Sequence, residues 1–148
     1  MKENGIIQVG VIVRDIEKAA EFYASVFDVP TPKINQVRPQ ELTNAMYRGK
    51  PMMSRAKLCA FKLGAVQVEL CEPDGEDSVW KEILDERGEG VGFLGFNVAD
   101  AKAVTERIAG LGVEVLHRGD TPGGSYNVTD FRQLGVSLNI KDRKVAEQ

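Results

Sequence analysis

The chain holds one histidine, His117, and two cysteines, Cys59 and Cys71. One imidazole excludes a multi-histidine metal centre, and two cysteines outside any CxxC pair argue against thiolate metal binding and read as free, reduced thiols of an intracellular domain. Basic residues are not in excess. A net charge of -3 and a pI near 5.3 lack the concentrated positive surface that nucleic acid or an anionic membrane demands. The most basic stretch, Arg48 to Lys57, holds only Arg48, Lys50, Arg55 and Lys57 and reads as a solvated loop. No run of about 18 apolar residues occurs, as a membrane-spanning helix would require. Met1 to Ile7 also lack the apolar centre of a signal peptide, so a cytoplasmic protein is expected.

What is present is ordinary for a soluble domain: 148 residues, 43% apolar and 28% charged, enough to bury a sizeable core. Ile7, Val9, Val11 and Val13 alternate with Gln8, Gly10 and Ile12, which predicts a strand over 6–13. Asp15 is placed to cap a helix from Ile16 to Phe27, stopped by Pro30 and Pro32. Residues 33–53 are polar, carry Pro39 and Pro51 and show no clean period, so they read as a long loop or irregular strand. Strands over 56–61 and 65–71 follow, joined by a turn at Leu63-Gly64, then a short helix with Ser78 as N-cap and Gly88 as its stop.

Val91 to Asp100 then repeats the first strand. Gly10 falls on Gly95, Val13 on Val98 and Asp15 on Asp100, and a second amphipathic helix follows with Ala101, Val104, Ile108 and Leu111 on one stripe. Strands near 113–118, 125–129 and 135–140 complete the second half, where Val136 to Ile140 echoes Val66 to Leu70. The chain thus reads as an α+β domain of two tandem βαβββ modules, about 6–73 and about 91–142, joined by a helix at about 78–88. Each module is too small to be stable alone, so 1–148 is expected to form one fused domain.

Period two assigns the functional face. In Val66-Gln67-Val68-Glu69-Leu70-Cys71, the valines and leucine share one face while Gln67, Glu69 and Cys71 share the other. With the apolar faces turned to the helices, the opposite faces of both modules line a shared concavity: Gln8, Gly10, Gln67, Glu69, Cys71, Phe93, Gly95, Asn97, Ser137, Asn139 and Lys141. A concave, mostly apolar surface with a few polar groups is the default binding pocket. Two glycines at equivalent positions are expected to leave room for a ligand beside the backbone. His117 reads as a surface histidine at the end of a strand, and Trp80 as a core anchor. Tyr47, Arg48, Arg55, Lys57 and Tyr126 fall at pocket edges.

The paired V-x-V-x-D strand and helix, each module closed by a V-E-L-like strand, resembles the vicinal oxygen chelate superfamily of glyoxalases, bleomycin-resistance proteins, extradiol dioxygenases and methylmalonyl-CoA epimerases. Arg48-Gly49-Lys50-Pro51, Glu69-Leu70-Cys71-Glu72-Pro73 and Gly88-Glu89-Gly90-Val91 are similar to its epimerase-like branch. The resemblance implies an open, eight-stranded half-barrel around a pocket, often a homodimer, with a divalent metal. It carries the four ligand positions onto Gln8, Glu69, Phe93 and Asn139, of which only Glu69 keeps a strong ligand. No tightly bound cofactor is therefore expected. If any metal is held, it would be a weak magnesium or calcium ion on Gln8, Glu69 and Asn139.

The branch implies a racemase or epimerase that moves a proton at a carbon next to a carbonyl. Glu69 is then the expected general base, Lys57 and Tyr47 are expected catalytic partners, and Lys141 is a further candidate for the second acid. Gln8, Gln67, Phe93, Asn97 and Asn139 are expected to bind substrate, with amide donors supporting the enolate. The partner is a small carbonyl compound. Without a metal, a more acidic α-proton is favoured, which points to an aryl ketone such as an isoflavanone, with Phe93 stacking on its ring, or else to an acyl-CoA thioester. Two alternatives differ in class: a metal-free small-molecule-binding or resistance protein, and a metal-dependent glyoxalase-type lyase with atypical ligands.

Overall fold

The computed structural model describes residues 5–142. Residues 1–4, which enter the reading of the amino terminus, lie outside the described residues. In chain order the elements are β1 (Gly5–Ile12), α1 (Ile16–Phe27), β2 (Asn35–Gln36), α2 (Gln40–Thr43), β3 (Met46–Tyr47), β4 (Lys50–Pro51) and β5 (Lys57–Leu63). Then come β6 (Val66–Glu72), α3 (Val79–Arg87), β7 (Gly90–Asn97), α4 (Ala101–Gly110), β8 (Val115–Thr121), β9 (Gly124–Thr129) and β10 (Ser137–Lys141).

Capping chemistry fixes the helices where the sequence places them. Asp15 accepts from Lys18 N at 3.1 Å and Asp100 from Ala103 N at 2.9 Å, so the repeat reproduces the same N-cap in both modules. Ser78 caps α3 through Lys81 N. The buried stripe of α1, Ile16, Ala20 and Ala24, packs on Val13, Cys59, Phe61 and Leu70. Val98, Ala101 and Ile140 form the equivalent, smaller core under α4.

The strands form one sheet in the order β2-β5-β6-β1-β7-β10-β9-β8-β3-β4. Its centre is the antiparallel β1–β7 pair, flanked symmetrically by parallel pairs β1–β6 and β7–β10. Eight of these strands are the two βαβββ modules of the open half-barrel. The remaining β3–β4 hairpin comes from the long segment after α1. Gln36 pairs with Lys57 at one edge of the sheet and Tyr47 pairs with His117 at the other, so residues 37–45 cross the open face between them. This pairing is non-local, and nothing in the local period of 33–53 announces it.

The concave face is less empty than alternation alone suggests. Ile12, Trp80, Ile83, Phe93, Leu116, Val128 and Phe131 fill much of it as a continuous apolar core, with α3 docked against it. The glycine spaces are occupied as well. A Cβ at residue 10 would lie 2.1 Å from the ring of Phe93, and one at residue 95 would lie 2.8 Å from Gln8 Oε1. The two glycines thus make room for the protein's own side chains, and not for a ligand at the backbone. Nor is His117 a surface residue at a strand end: β8 runs on to Thr121, and His117, paired with Tyr47 on one side and Val128 on the other, is 0% exposed.

Candidate functional site

A cavity of about 190 Å³ remains in the concave face. The sheet contributes Gln36 from β2, Leu58 from β5, Glu69 from β6, Asp120 and Thr121 from β8, Tyr126 from β9, and Asn139 and Lys141 from β10. Trp80 of α3 adds a wall, and the crossing segment covers it with Val37, Arg38 and Thr43. Glu69 and Tyr126 are separated in the sheet by β1, β7 and β10, which sets them on opposite walls.

One hydrogen-bonded row runs beneath this cavity. Gln8 is 3% exposed; its Nε2 donates to Glu69 Oε2 at 2.8 Å, and its Oε1 accepts from Lys141 Nζ at 2.8 Å. The carboxamide is held with its amine toward the carboxylate and its oxygen toward the ammonium, the orientation charge favours. Lys141 is 5% exposed and Asn139 6%. Asn139 Oδ1 and Thr121 Oγ1, both on residues lining the cavity, are buried without a hydrogen-bond partner. Buried polar atoms left in this state cost about 1–3 kcal/mol each, which a polar ligand in the cavity would recover.

Behind Tyr126 stands His117. Its Nε2 and the Tyr126 hydroxyl share a hydrogen bond of 3.1 Å, and Trp80 and Tyr126 both meet its ring edge-on at centroid distances of 4.9 and 5.0 Å. Burial pushes the imidazole down to about 3, so it is neutral at working pH.

Of the expected site residues, Glu69 and Asn139 line the cavity, and Gln8 lies outside the lining but is hydrogen-bonded to both Glu69 and Lys141. Phe93 does not line it: 1% exposed, its ring rests over Gly10, and Trp80 and Tyr126 provide the aromatic walls instead. Gln67 and Asn97 share backbone register with Gln8 and Lys141 but lie outside the lining. Lys57 pairs with Glu72, three residues from Glu69 and therefore on the opposite face, with its Nζ 3.8 Å from that carboxylate. Tyr47 is buried in the apolar core; its hydroxyl accepts from Arg48 Nε at 3.1 Å. Burial and the neighbouring Glu82 carboxylate push it up to about 12. Neither Lys57 nor Tyr47 touches the cavity. Both thiols are buried and held in the protonated form. Burial, with Glu69 adding to it, pushes Cys59 up to about 11 and Cys71 well above its ordinary value.

Tyr126 joins the site through its pairing with Lys141, since direct antiparallel partners share a face, and this register is set by the β9–β10 pairing and not by local sequence pattern.

The positions that the family pattern gives to metal ligands do not fit a divalent ion here. Phe93 offers no donor atom, the Lys141 ammonium is already bound to the oxygen of Gln8, and no group of three or more His, Cys, Asp or Glu side chains is placed to hold a metal among the described residues.

This chain belongs to the glyoxalase/bleomycin resistance protein/dioxygenase superfamily, whose pattern matches residues 7–129. Solved structures share the fold. Methylmalonyl-CoA epimerase from Mycobacterium tuberculosis is 23% identical with a TM-score of 0.65, covering 95% of this chain and 89% of that one. A single-residue variant of Streptomyces coelicolor methylmalonyl-CoA epimerase, in complex with 2-nitronate-propionyl-CoA, is 23% identical with a TM-score of 0.68 over 99% of both chains. A methylmalonyl-CoA epimerase in complex with methylmalonyl-CoA and NH4+ is 22% identical, again with a TM-score of 0.68 over 99% of both. No curated protein matches the chain. No helix among the described residues is long and apolar enough to cross a membrane.

Proposed function

We propose that this protein is a racemase or epimerase that removes and returns a proton at a carbon next to a carbonyl, without a tightly bound metal. The observation that carries the reading is Glu69: two carboxylates line the cavity, and whereas Asp120 accepts from Asn44 and pairs with Arg118, Glu69 is held in the row with Gln8 and Lys141. Glu69 is positioned as general base, and its Oε2 is oriented by the Gln8 amine. Because racemisation returns a proton to the opposite face, a donor is needed on the far wall. Tyr126 meets that need, with its hydroxyl held by His117.

An aryl ketone suits the cavity. Trp80, Tyr126, Leu58 and Val37 offer apolar walls, and Asn139 Oδ1 awaits a donor such as a substrate hydroxyl. An acyl-CoA thioester is the second reading, favoured by the named activity of the structural neighbours. Against it, Arg38 and Lys141 are the only cations lining the cavity among the described residues, which is sparse for a phosphate-rich carrier. A homodimer and a cytoplasmic setting, both expected from the sequence, belong to the same proposal; light scattering of the purified protein tests the first.

The test is a panel of racemisable ketones and acyl-CoA thioesters incubated with the protein in D2O, followed by proton NMR. Loss of the α-proton signal with catalytic amounts of protein supports the reading. Saturable binding of the panel without any exchange would instead mark a ligand-sequestering protein.

A further inference from the structure

A lysine that is 5% exposed needs compensation, because an ammonium leaves water only where charge and hydrogen bonds replace the lost hydration. Strand β10 places Lys141 beside Tyr126 on β9 and opposite Asn97 on β7, so its side chain falls on the concave face with Asn139. There its Nζ donates to Gln8 Oε1, and the other end of the same carboxamide donates to Glu69. Turning that amide over would set oxygen against carboxylate and amine against ammonium, so the two charges lock it. The result is a fixed row of carboxylate, amide and ammonium. Its middle and first members occupy positions where the family pattern places metal ligands, and the ammonium is bound to an oxygen that such a metal would need.

We infer that Lys141 is the cation of this site, built into the chain in place of a dissociable metal, and that it pairs with the carbonyl oxygen of the substrate. This rests on the proton-transfer reading above. In the step concerned the α C–H bond breaks and its proton passes to Glu69. The C–H electron pair becomes the enolate double bond, and the carbonyl π pair moves to oxygen beside the ammonium. Reprotonation at carbon reverses these shifts, so no oxidant, reductant or co-reactant is consumed. A preorganised charge in a site shielded from water is worth most where charge develops, and removing such a group typically costs about 10²–10³ in turnover.

The experiment follows α-proton exchange in D2O on whichever panel substrate exchanges fastest. Its arms are wild type dialysed against EDTA, wild type supplied with Co2+, Lys141→Met and Lys141→Arg, each checked for a cooperative thermal transition. Exchange by wild type is expected to change less than about twofold with EDTA or Co2+. Lys141→Met is expected to lose about 10²–10³ in kcat with a smaller change in KM, and Lys141→Arg, which keeps the charge, to recover part of that loss. Exchange that dies with EDTA and returns with Co2+ would overturn the inference while leaving the proton-transfer reading intact, as would a folded Lys141→Met protein at wild-type kcat. If Lys141→Met fails to fold, the EDTA and Co2+ arms on wild type still decide. Absence of exchange on every substrate would instead remove the underlying reading, and this inference with it.

Discussion

The ring of Phe93 lies directly over Gly10, so close that a Cβ on residue 10 would sit 2.1 Å from its Cζ. A phenyl group thus fills the centre of the concave face where the family pattern expects a metal ligand, and the first strand gives up its side chain to admit it. Gly10→Ala is expected to destabilise the protein by about 1–3 kcal/mol, lowering Tm by several degrees. Combining it with Phe93→Leu, which withdraws the ring edge, should recover part of the loss; differential scanning calorimetry of the single and double variants reads this directly.

His117 supplies a pH dependence. The unfolded chain binds a proton on this imidazole below about pH 6.5, whereas the folded chain resists doing so until about 3 because burial disfavours the charged form. Its contribution to stability is therefore fully present above about pH 6.5 and is lost progressively as the pH falls toward about 3. Between about pH 7 and about pH 5 this amounts to about 2 kcal/mol. Urea denaturation at the two pH values should show that difference in wild type, and a His117→Gln variant should show it reduced by the same amount.

Tyr126 and Glu69 stand on opposite walls, which makes their roles separable by stereochemistry. If Tyr126 delivers the proton to the second face, Tyr126→Phe should lower racemisation by about 10²–10⁴ while Glu69 continues to exchange the α-proton of one enantiomer with retention. Chiral chromatography combined with deuterium content distinguishes this from a uniform loss of both. A uniform loss would reassign Tyr126 to binding.

Lys57→Ala serves as the complementary variant. Lys57 is paired with Glu72 on the helix-covered face, its side chain 42% exposed. Its removal is expected to leave exchange within about twofold and stability within about 1 kcal/mol, as for an exposed ion pair.

These cases show which parts of the molecule local pattern encodes. The caps at Asp15, Ser78 and Asp100 and the alternation around Glu69 depend on residues within a turn or a strand of one another, and the sequence displays them. The repeat carried the two-module sheet for the same reason. The path of residues 37–45 depends on a pairing between Tyr47 and His117, far apart in sequence, so neither the cover of the cavity nor the burial of His117 was legible. The face of Lys57 is set by its register against Glu72, which strand propensity does not specify. At the site itself, the cavity-facing positions of Glu69 and Asn139 were legible, because alternation turns them away from the helices, although the same alternation put Gln67, Phe93 and Asn97 on that face and they lie outside the lining. That Gly10 and Gly95 serve Phe93 and Gln8 was not legible, because it requires knowing which strands are neighbours.

Glu69 as the proton carrier is the central claim. The direct measurement is the rate of α-proton exchange in D2O by wild type and Glu69→Gln on the same substrate, with substrate binding measured in parallel by calorimetry. The account predicts a fall of about 10²–10⁴ in exchange with binding retained within about tenfold. Exchange by a folded Glu69→Gln protein at the wild-type rate would contradict it.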